Sequence, residues 1–462
     1  MSFLKSTACA AALLLAAPAV SHAQSADAAL ELLSRAITYR TVKTGEFGAN
    51  QTPQYANFLK DQLVAAGFPA SAIEIDPIGD TAAFTATWQG SDPSLKPIAI
   101  LGHMDVVEAD PADWERDPFT PVIENGYIFG RGSVDNKAGI SIIMATIIKL
   151  KQEGWQPKRT IILAFSGDEE TGMATTRHLA QKHKDIELVL NGDGGGGSLD
   201  SDHNPTVYSL QGSEKTYADY TLTVTDAGGH SSRPTPGNPI YRLTAGLQRL
   251  NDYQFRVSLD DITRGYFTAA ALTARPEIAS AMRALVANDQ DQAAIATLTA
   301  DGGFTGTIRT TCTATMIKGG HAANALPQQA QATVNCRILP GVSMEAIRDQ
   351  LQDIVGDPTI KVDLLDTGTI AAPSSPLRDD VVQAVTAAVH ATYPGIQIVP
   401  SMSAGATDSM HFRALGIPSY GVGSVFMRRE DSFSHGRNER LPLHALPTGL
   451  THWETLLKAM AD

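Results

Sequence analysis

Five short stretches carry residue types that bind metal ions or move protons. Leu101-Gly102-His103-Met104-Asp105 sets a histidine and a carboxylate two residues apart at the end of an apolar run. In an extended chain such residues point the same way, so Asp105 can reach the His103 ring and fix which nitrogen is free for a metal. A histidine that merely satisfies itself at a strand end would look the same. Gly130-Arg131-Gly132-Ser133-Val134-Asp135-Asn136-Lys137 opens an apolar helix, and Asp135 reads either as its N-cap or as a metal ligand. Ser166-Gly167-Asp168-Glu169-Glu170-Thr171-Gly172 puts three acids after a second apolar run. Carboxylates so close repel one another unless a cation or solvent screens them, and a surface turn is the plain alternative. Asp193 in a glycine run and His435 in Phe433-Ser434-His435-Gly436-Arg437-Asn438-Glu439 complete the set. Two histidines and several carboxylates at strand ends suit a borderline metal such as zinc.

The elements that must position these groups alternate in type. Pro97 to Leu101, Arg159 to Phe165 and Leu188 to Leu190 are β-branched or aliphatic runs that read as buried strands. Ala138 to Lys151 is apolar all round and reads as a helix packed on the sheet. Strands ending in Gly- and acid-rich loops suit an α/β sheet whose site lies beyond the strands' carboxyl ends. Near Gln211 the pattern changes. Tyr217 to Thr225 alternates as a half-exposed strand, followed by a helix (Ile240 to Leu250), strands Thr307 to Ile317 and Gln329 to Ile338, a helix from near Ser343 and a strand near Ile360 to Leu365. That βαββαβ order is the ferredoxin-like split sandwich. The α/β pattern then returns with a helix (Leu377 to Tyr393), strands Gln397 to Pro400 and Ser419 to Val422, and a final helix. The expected fold is a catalytic domain with a mixed, largely parallel sheet flanked by helices, interrupted by an inserted lid. The divisions are 24–212, 213–365 with a helical insertion at 251–301, and 366–462.

The chain has 462 residues, 43% of them apolar and 18% charged, with a net charge of -13. An acidic protein repels nucleic acid and anionic lipid, so neither is an expected partner. Residues 1–23 combine Lys5, an apolar run from Ala10 to Val20 and Ser21-His22-Ala23, the pattern of a cleaved secretory signal and hence of a periplasmic or secreted protein. After its removal Cys312 and Cys336 remain. If the lid strands form a hairpin centred near Asn324, these cysteines oppose each other closely enough for a disulfide; a shifted register would separate them.

The order His-x-Asp, Gly-Arg-Gly-x-x-Asp-x-Lys, Glu-Glu, Asp and His resembles the co-catalytic dizinc amidohydrolases of the aminoacylase, carboxypeptidase G and succinyl-diaminopimelate desuccinylase family. Leu101 to Val107, Trp114 to Asn136 and Pro157 to Gly172 look most like its carboxypeptidase S and N-acyl-amino-acid hydrolase branch. The resemblance implies two Zn2+ per subunit, replaceable by Co2+ or Mn2+. His103 and Asp193 would bind one, Glu170 and His435 the other, and Asp135 would bridge them, with a cis peptide at Asp135-Asn136. It implies Glu169 as general base, Asp105 as the partner of His103, and His230 as a lid histidine that stabilises the oxyanion, in dimeric relatives in the neighbouring subunit's site. Arg337, Asn324 and Gly405 would bind substrate. Ala138 stands where the family often has glycine, as does Ala406 in the loop around Gly405.

The function implied is hydrolysis of an amide or peptide bond beside a free carboxylate, by a carboxypeptidase or N-acyl-amino-acid hydrolase, with a small peptide or N-acyl amino acid as substrate and a homodimer formed through the lid. An aminopeptidase or dipeptidase on the same fold is the alternative and would need a pocket for a free amino group. A solute-binding protein would have no need of Glu169 or paired ligands, and a pseudoenzyme would not keep every catalytic position filled.

Overall fold

The computed structural model describes residues 22–45, 48–300 and 303–462. The expected secretory signal lies almost wholly outside the described residues; its last two positions, His22 and Ala23, open a helix that runs His22–Ile37. Among the described residues no helix is long and apolar enough to cross a membrane.

Ten strands form the larger sheet. Its centre is parallel, with Ile161–Ser166, Ile98–His103, Leu188–Asn191 and Ser419–Gly421 side by side. The antiparallel hairpin Ile73–Ile78 and Thr81–Trp88 extends one side. Pro205–Glu214, Gly196–Leu199, Phe426–Arg428 and Gln397–Ser403 extend the other. The two-residue repeat of a strand divides the side chains between two cores. Ile98 and Ile100 face helices His22–Ile37, Lys137–Gln152 and Ala445–Ala461, while Ala99 and Leu101 face Ala174–Lys182 and Ser409–Ala414. Both faces are covered, which explains why the central strands read as unbroken apolar runs.

A separate four-stranded sheet has the order Thr311–Gly319, Gln329–Ile338, Thr216–Thr225, Lys361–Leu364. Helices Pro239–Asp252 and Met344–Val355 supply Leu243, Leu250, Ile347 and Leu351 to the core formed with Ala218, Tyr220 and Leu222. Ser343 caps the second helix by accepting from the Ala346 N–H, as its position before an amphipathic stripe predicts. Strand order and helix placement are those of the split βαβ sandwich. Cys312 and Cys336 oppose each other directly and are bonded.

Several elements differ from expectation. The strand placed at Thr307 starts at Thr311, because Thr305–Ile308 is a helical turn whose Ile308 is drawn into the core of the helical insertion. That insertion packs Asp261–Ala270 against Gln397–Ser403, so it leans on the larger sheet. Strands Ile73–Ile78, Thr81–Trp88 and Pro205–Glu214 carried no sequence expectation. The glycine run, read as a loop, contributes the strand Gly196–Leu199. Close backbone approach demands its glycines: at Gly195, with φ +71°, an added Cβ would lie 2.4 Å from the Gly421 carbonyl oxygen.

Candidate metal centre and active site

The parallel strands deliver their last residues to one place. His103 ends its strand at the level of Ser166, and Leu101 lies beside Asn191, two residues before Asp193. The His103 Nε2 lies 2.8 Å from Asp135 Oδ1 and 3.7 Å from Asp193 Oδ2. On the other side, His435 Nε2 lies 3.4 Å from Asp135 Oδ2 and 3.0 Å from Glu170 Oε1. The two oxygens of Asp135 therefore face different imidazoles. Asp135 is not the helix N-cap; Asn136 takes that position, and the Asp135-Asn136 peptide is cis. Ligand atoms of His103, Asp135 and Glu170 lie within 4.8 Å of one another, a spacing and donor set that fit a divalent ion.

Asp105 does more than its sequence position suggests. The His103 Nδ1 hydrogen-bonds the Asp105 backbone carbonyl at 3.0 Å, with the Asp105 carboxylate farther off at 3.6 Å. That carboxylate accepts the backbone N–H groups of Glu169 at 3.1 Å and Glu170 at 3.0 Å. One buried aspartate thus ties the His103 strand end to the acidic turn.

The three acids of that turn separate. Asp168 accepts the N–H groups of Ala174 at 2.8 Å and Thr175 at 2.9 Å, at the start of helix Ala174–Lys182. Glu169 is buried beside the cluster and Glu170 faces His435. Burial pushes the Glu169 carboxyl well above the usual carboxylate range, and Asp193, Asp408 and Glu170 add to the rise. Burial likewise lifts Asp193 to about 7, with Asp135 among the neighbours adding to it. Burial works against ionisation of Asp135 too, but the His103 and His435 imidazoles hold it well below normal. His435 is raised to about 10 by its hydrogen bonds to Asp135 and Glu170.

The remaining expected residues lie in or beside the four-stranded layer. Arg337 stacks its guanidinium 4.7 Å from the Tyr217 ring centre and donates from Nη1 to the Ala404 carbonyl at 2.8 Å. Gly405 follows directly, its N–H bonded to Ser403 Oγ at 3.0 Å. His230 pairs with Ala325, is exposed, and its Nδ1 lies 2.8 Å from Ser232 Oγ. Asn324 offers its carbonyl to the Ser231 N–H at 3.1 Å. Within this chain the structure does not hydrogen-bond His230 or Asn324 to the histidine–carboxylate cluster.

Two of the buried acids without a sequence expectation bond to the site segments. Asp408 accepts from Ser166 Oγ at 2.6 Å and from the Thr176 hydroxyl, and burial pushes it up to about 7. Glu439, fully buried, is surrounded by donors from Arg131 to Asp135. Each stands in a stretch singled out for another residue, so proximity to Gly405 and His435 was the available signal.

The model of peptidase family M20/M25/M40 matches residues 99–459. A probable carboxypeptidase S-like 2 of Dictyostelium discoideum is 28% identical over 429 residues, covering 89% of this chain and 81% of that one. The human N-fatty-acyl-amino acid synthase/hydrolase PM20D1 is 29% identical over 374 residues, covering 78% and 74%. Among solved structures, the M20 family metallo-carboxypeptidase Sso-CP2 of Sulfolobus solfataricus shares the fold at a TM-score of 0.69, with 19% identity and coverage of 93% and 98%. With the family's pattern extending from strand Ile98–His103 to the last helix, the chain belongs to the M20 peptidases and amidohydrolases.

Proposed function

We propose that this enzyme is a secreted dizinc hydrolase that cleaves an amide bond beside a free carboxylate, with residues 213–365 as its lid. The observation that carries the reading is Asp135, whose two carboxylate oxygens face two different imidazoles while buried Glu169 stands beside them. His103 and Asp193 suit one metal position, Glu170 and His435 the other. A bound pair would supply Lewis acidity, polarising the amide carbonyl and lowering the pKa of an attacking water towards neutral. Glu169, held on a turn whose backbone is fixed by Asp105, takes the proton from the attacking water and returns it to the leaving amine. Its raised proton affinity suits both halves of that task. Arg337 and the Ala404-Gly405 turn sit together and suit the substrate carboxylate, for which a guanidinium offers a forked grip.

On the other flank a cavity of about 500 Å³ opens beside Asp135 and Asp193, walled by Gly192 to Gly197, Val425 and Met427. Apart from those two ligand carboxylates its lining contains no acid, and it includes Arg428 and Arg429. Beyond those two ligand carboxylates, a free ammonium group would find no acid on this lining. That favours a neutral acyl group over the free amine of an aminopeptidase or dipeptidase substrate. His230, exposed and without a hydrogen bond to the cluster in its own chain, fits a role across a dimer. The edge strand Thr311–Gly319, with Met316 and Ile317 exposed, is the surface through which the lids would pair.

A substrate panel on metal-loaded protein tests the reading. N-acyl amino acids with a free carboxylate should be cleaved, their carboxamide counterparts poorly, and free dipeptides poorly. Preference for free dipeptides would overturn the acyl assignment. Turnover that survives complete chelation would overturn the metal mechanism.

A further inference from the structure

We propose that Glu439 is a positioning residue that sets the segment carrying Asp135 and the segment carrying His435 in place before any metal binds; this rests on the metal-site reading above. Glu439 has no exposed surface. Its Oε1 accepts the backbone N–H groups of Val134 at 2.8 Å and Asp135 at 3.0 Å. Its Oε2 accepts the Gly132 N–H at 2.9 Å and Arg131 Nη1 at 2.8 Å. Four donors occupy the lone-pair positions a carboxylate offers, and one of them is charged.

The backbone reinforces the link. The Gly130 N–H donates to the Glu439 carbonyl at 3.0 Å, and strand Arg440–Pro442 pairs with Tyr127–Phe129 just before the segment. Arg131 is itself buried, with its guanidinium 5.0 Å from the Trp114 ring centre. His435 lies four residues before Glu439, and its Nε2 meets Asp135. The two segments are therefore joined twice, once between ligand side chains and once through Glu439. Without Glu439, three backbone N–H groups and a guanidinium lose their acceptor in a buried place, where an unmet donor is costly. The turn from Gly132 to Asn136 would then have no reason to hold the Asp135 carboxylate between two imidazoles. The Gly-Arg-Gly stretch and the acid at the end of the His435 stretch act as a single device.

Hydrogen exchange on metal-free wild-type protein is the first test. The amides of Gly132, Val134 and Asp135 should be protected without metal, and exchange as fast as that of exposed loop amides would overturn the proposal. In Glu439→Gln the same amides should lose protection. Chelator competition should show metal affinity falling by roughly 10–100-fold, with kcat reduced and KM unchanged. Glu439→Asp, which keeps the charge, should recover part of that affinity. A Glu439→Gln protein that is destabilised yet binds metal as tightly as wild type would reduce Glu439 to a packing role and sink the idea. Failure of the hydrolase reading would look different: wild-type protein would bind metal and show protected amides while cleaving no member of the substrate panel.

Discussion

The end of the large sheet and the tip of the four-stranded layer hold their polar side chains in different ways. At the sheet end, Asp105, Asp135, Asp408 and Glu439 each take two or more partners, and Asp105 and Glu439 fix the backbone of other site segments. In the four-stranded layer, Arg337 makes one hydrogen bond to the larger unit, through the Ala404 carbonyl. His230 bonds its own neighbour Ser232, and Asn324 uses only its backbone carbonyl. Groups that must hold charge at fixed spacing are built on strand ends and cross-tied. The groups proposed to meet a substrate carry fewer ties to the sheet end.

The sharpest way to break that contrast is Glu169→Gln. Turnover should fall by roughly 10²–10⁴-fold while metal content, measured by elemental analysis, is unchanged. Loss of metal would place Glu169 among the ligands and redraw the site. Next comes His230→Ala, expected to lower kcat by roughly 10²–10³-fold at constant metal content, as loss of an oxyanion donor does. Unchanged turnover would leave it a turn residue. Arg337→Met should act on binding, raising KM for carboxylate substrates by roughly 10–150-fold (about 1.5–3 kcal/mol) while amide analogues are unaffected.

Metal affinity should also show a graded pH dependence. His435, raised to about 10 by Asp135 and Glu170, and Asp193, raised to about 7 by burial, must both lose protons to ligate. Protons compete with metal, so chelator competition should show affinity rising with pH, most steeply below about pH 7 and still rising up to about pH 10. A flat profile would mean these groups are already ionised.

The centre of the fold was legible because both faces of the sheet are covered. Ile98 to Leu101 and Ile161 to Phe165 then read as unbroken apolar strands, and the residues just past them could be picked out as a cluster. The βαββαβ order followed from alternation such as that of Thr216–Thr225, buried at every second position. Less legible was anything decided by distant packing. Gly196–Leu199 lacks the side chains that mark a strand, and its backbone is held by Pro205–Glu214 and Phe426–Arg428. The insertion's lean on Gln397–Ser403 brings Pro400 over Gly265, a contact across more than a hundred residues. What Glu439 holds was invisible for the same reason, since its partners lie some three hundred residues earlier.

The acidic triplet 168–170 shows how little slack such a site has. Asp168 anchors a helix, Glu169 sits inside and Glu170 looks outward to an imidazole, three posts assigned by position along one turn. Deleting or inserting one residue there would conserve the local charge almost unchanged while handing each acid its neighbour's post. In this turn, what a carboxylate does is a matter of register, and charge alone would be a poor guide for anyone redesigning it.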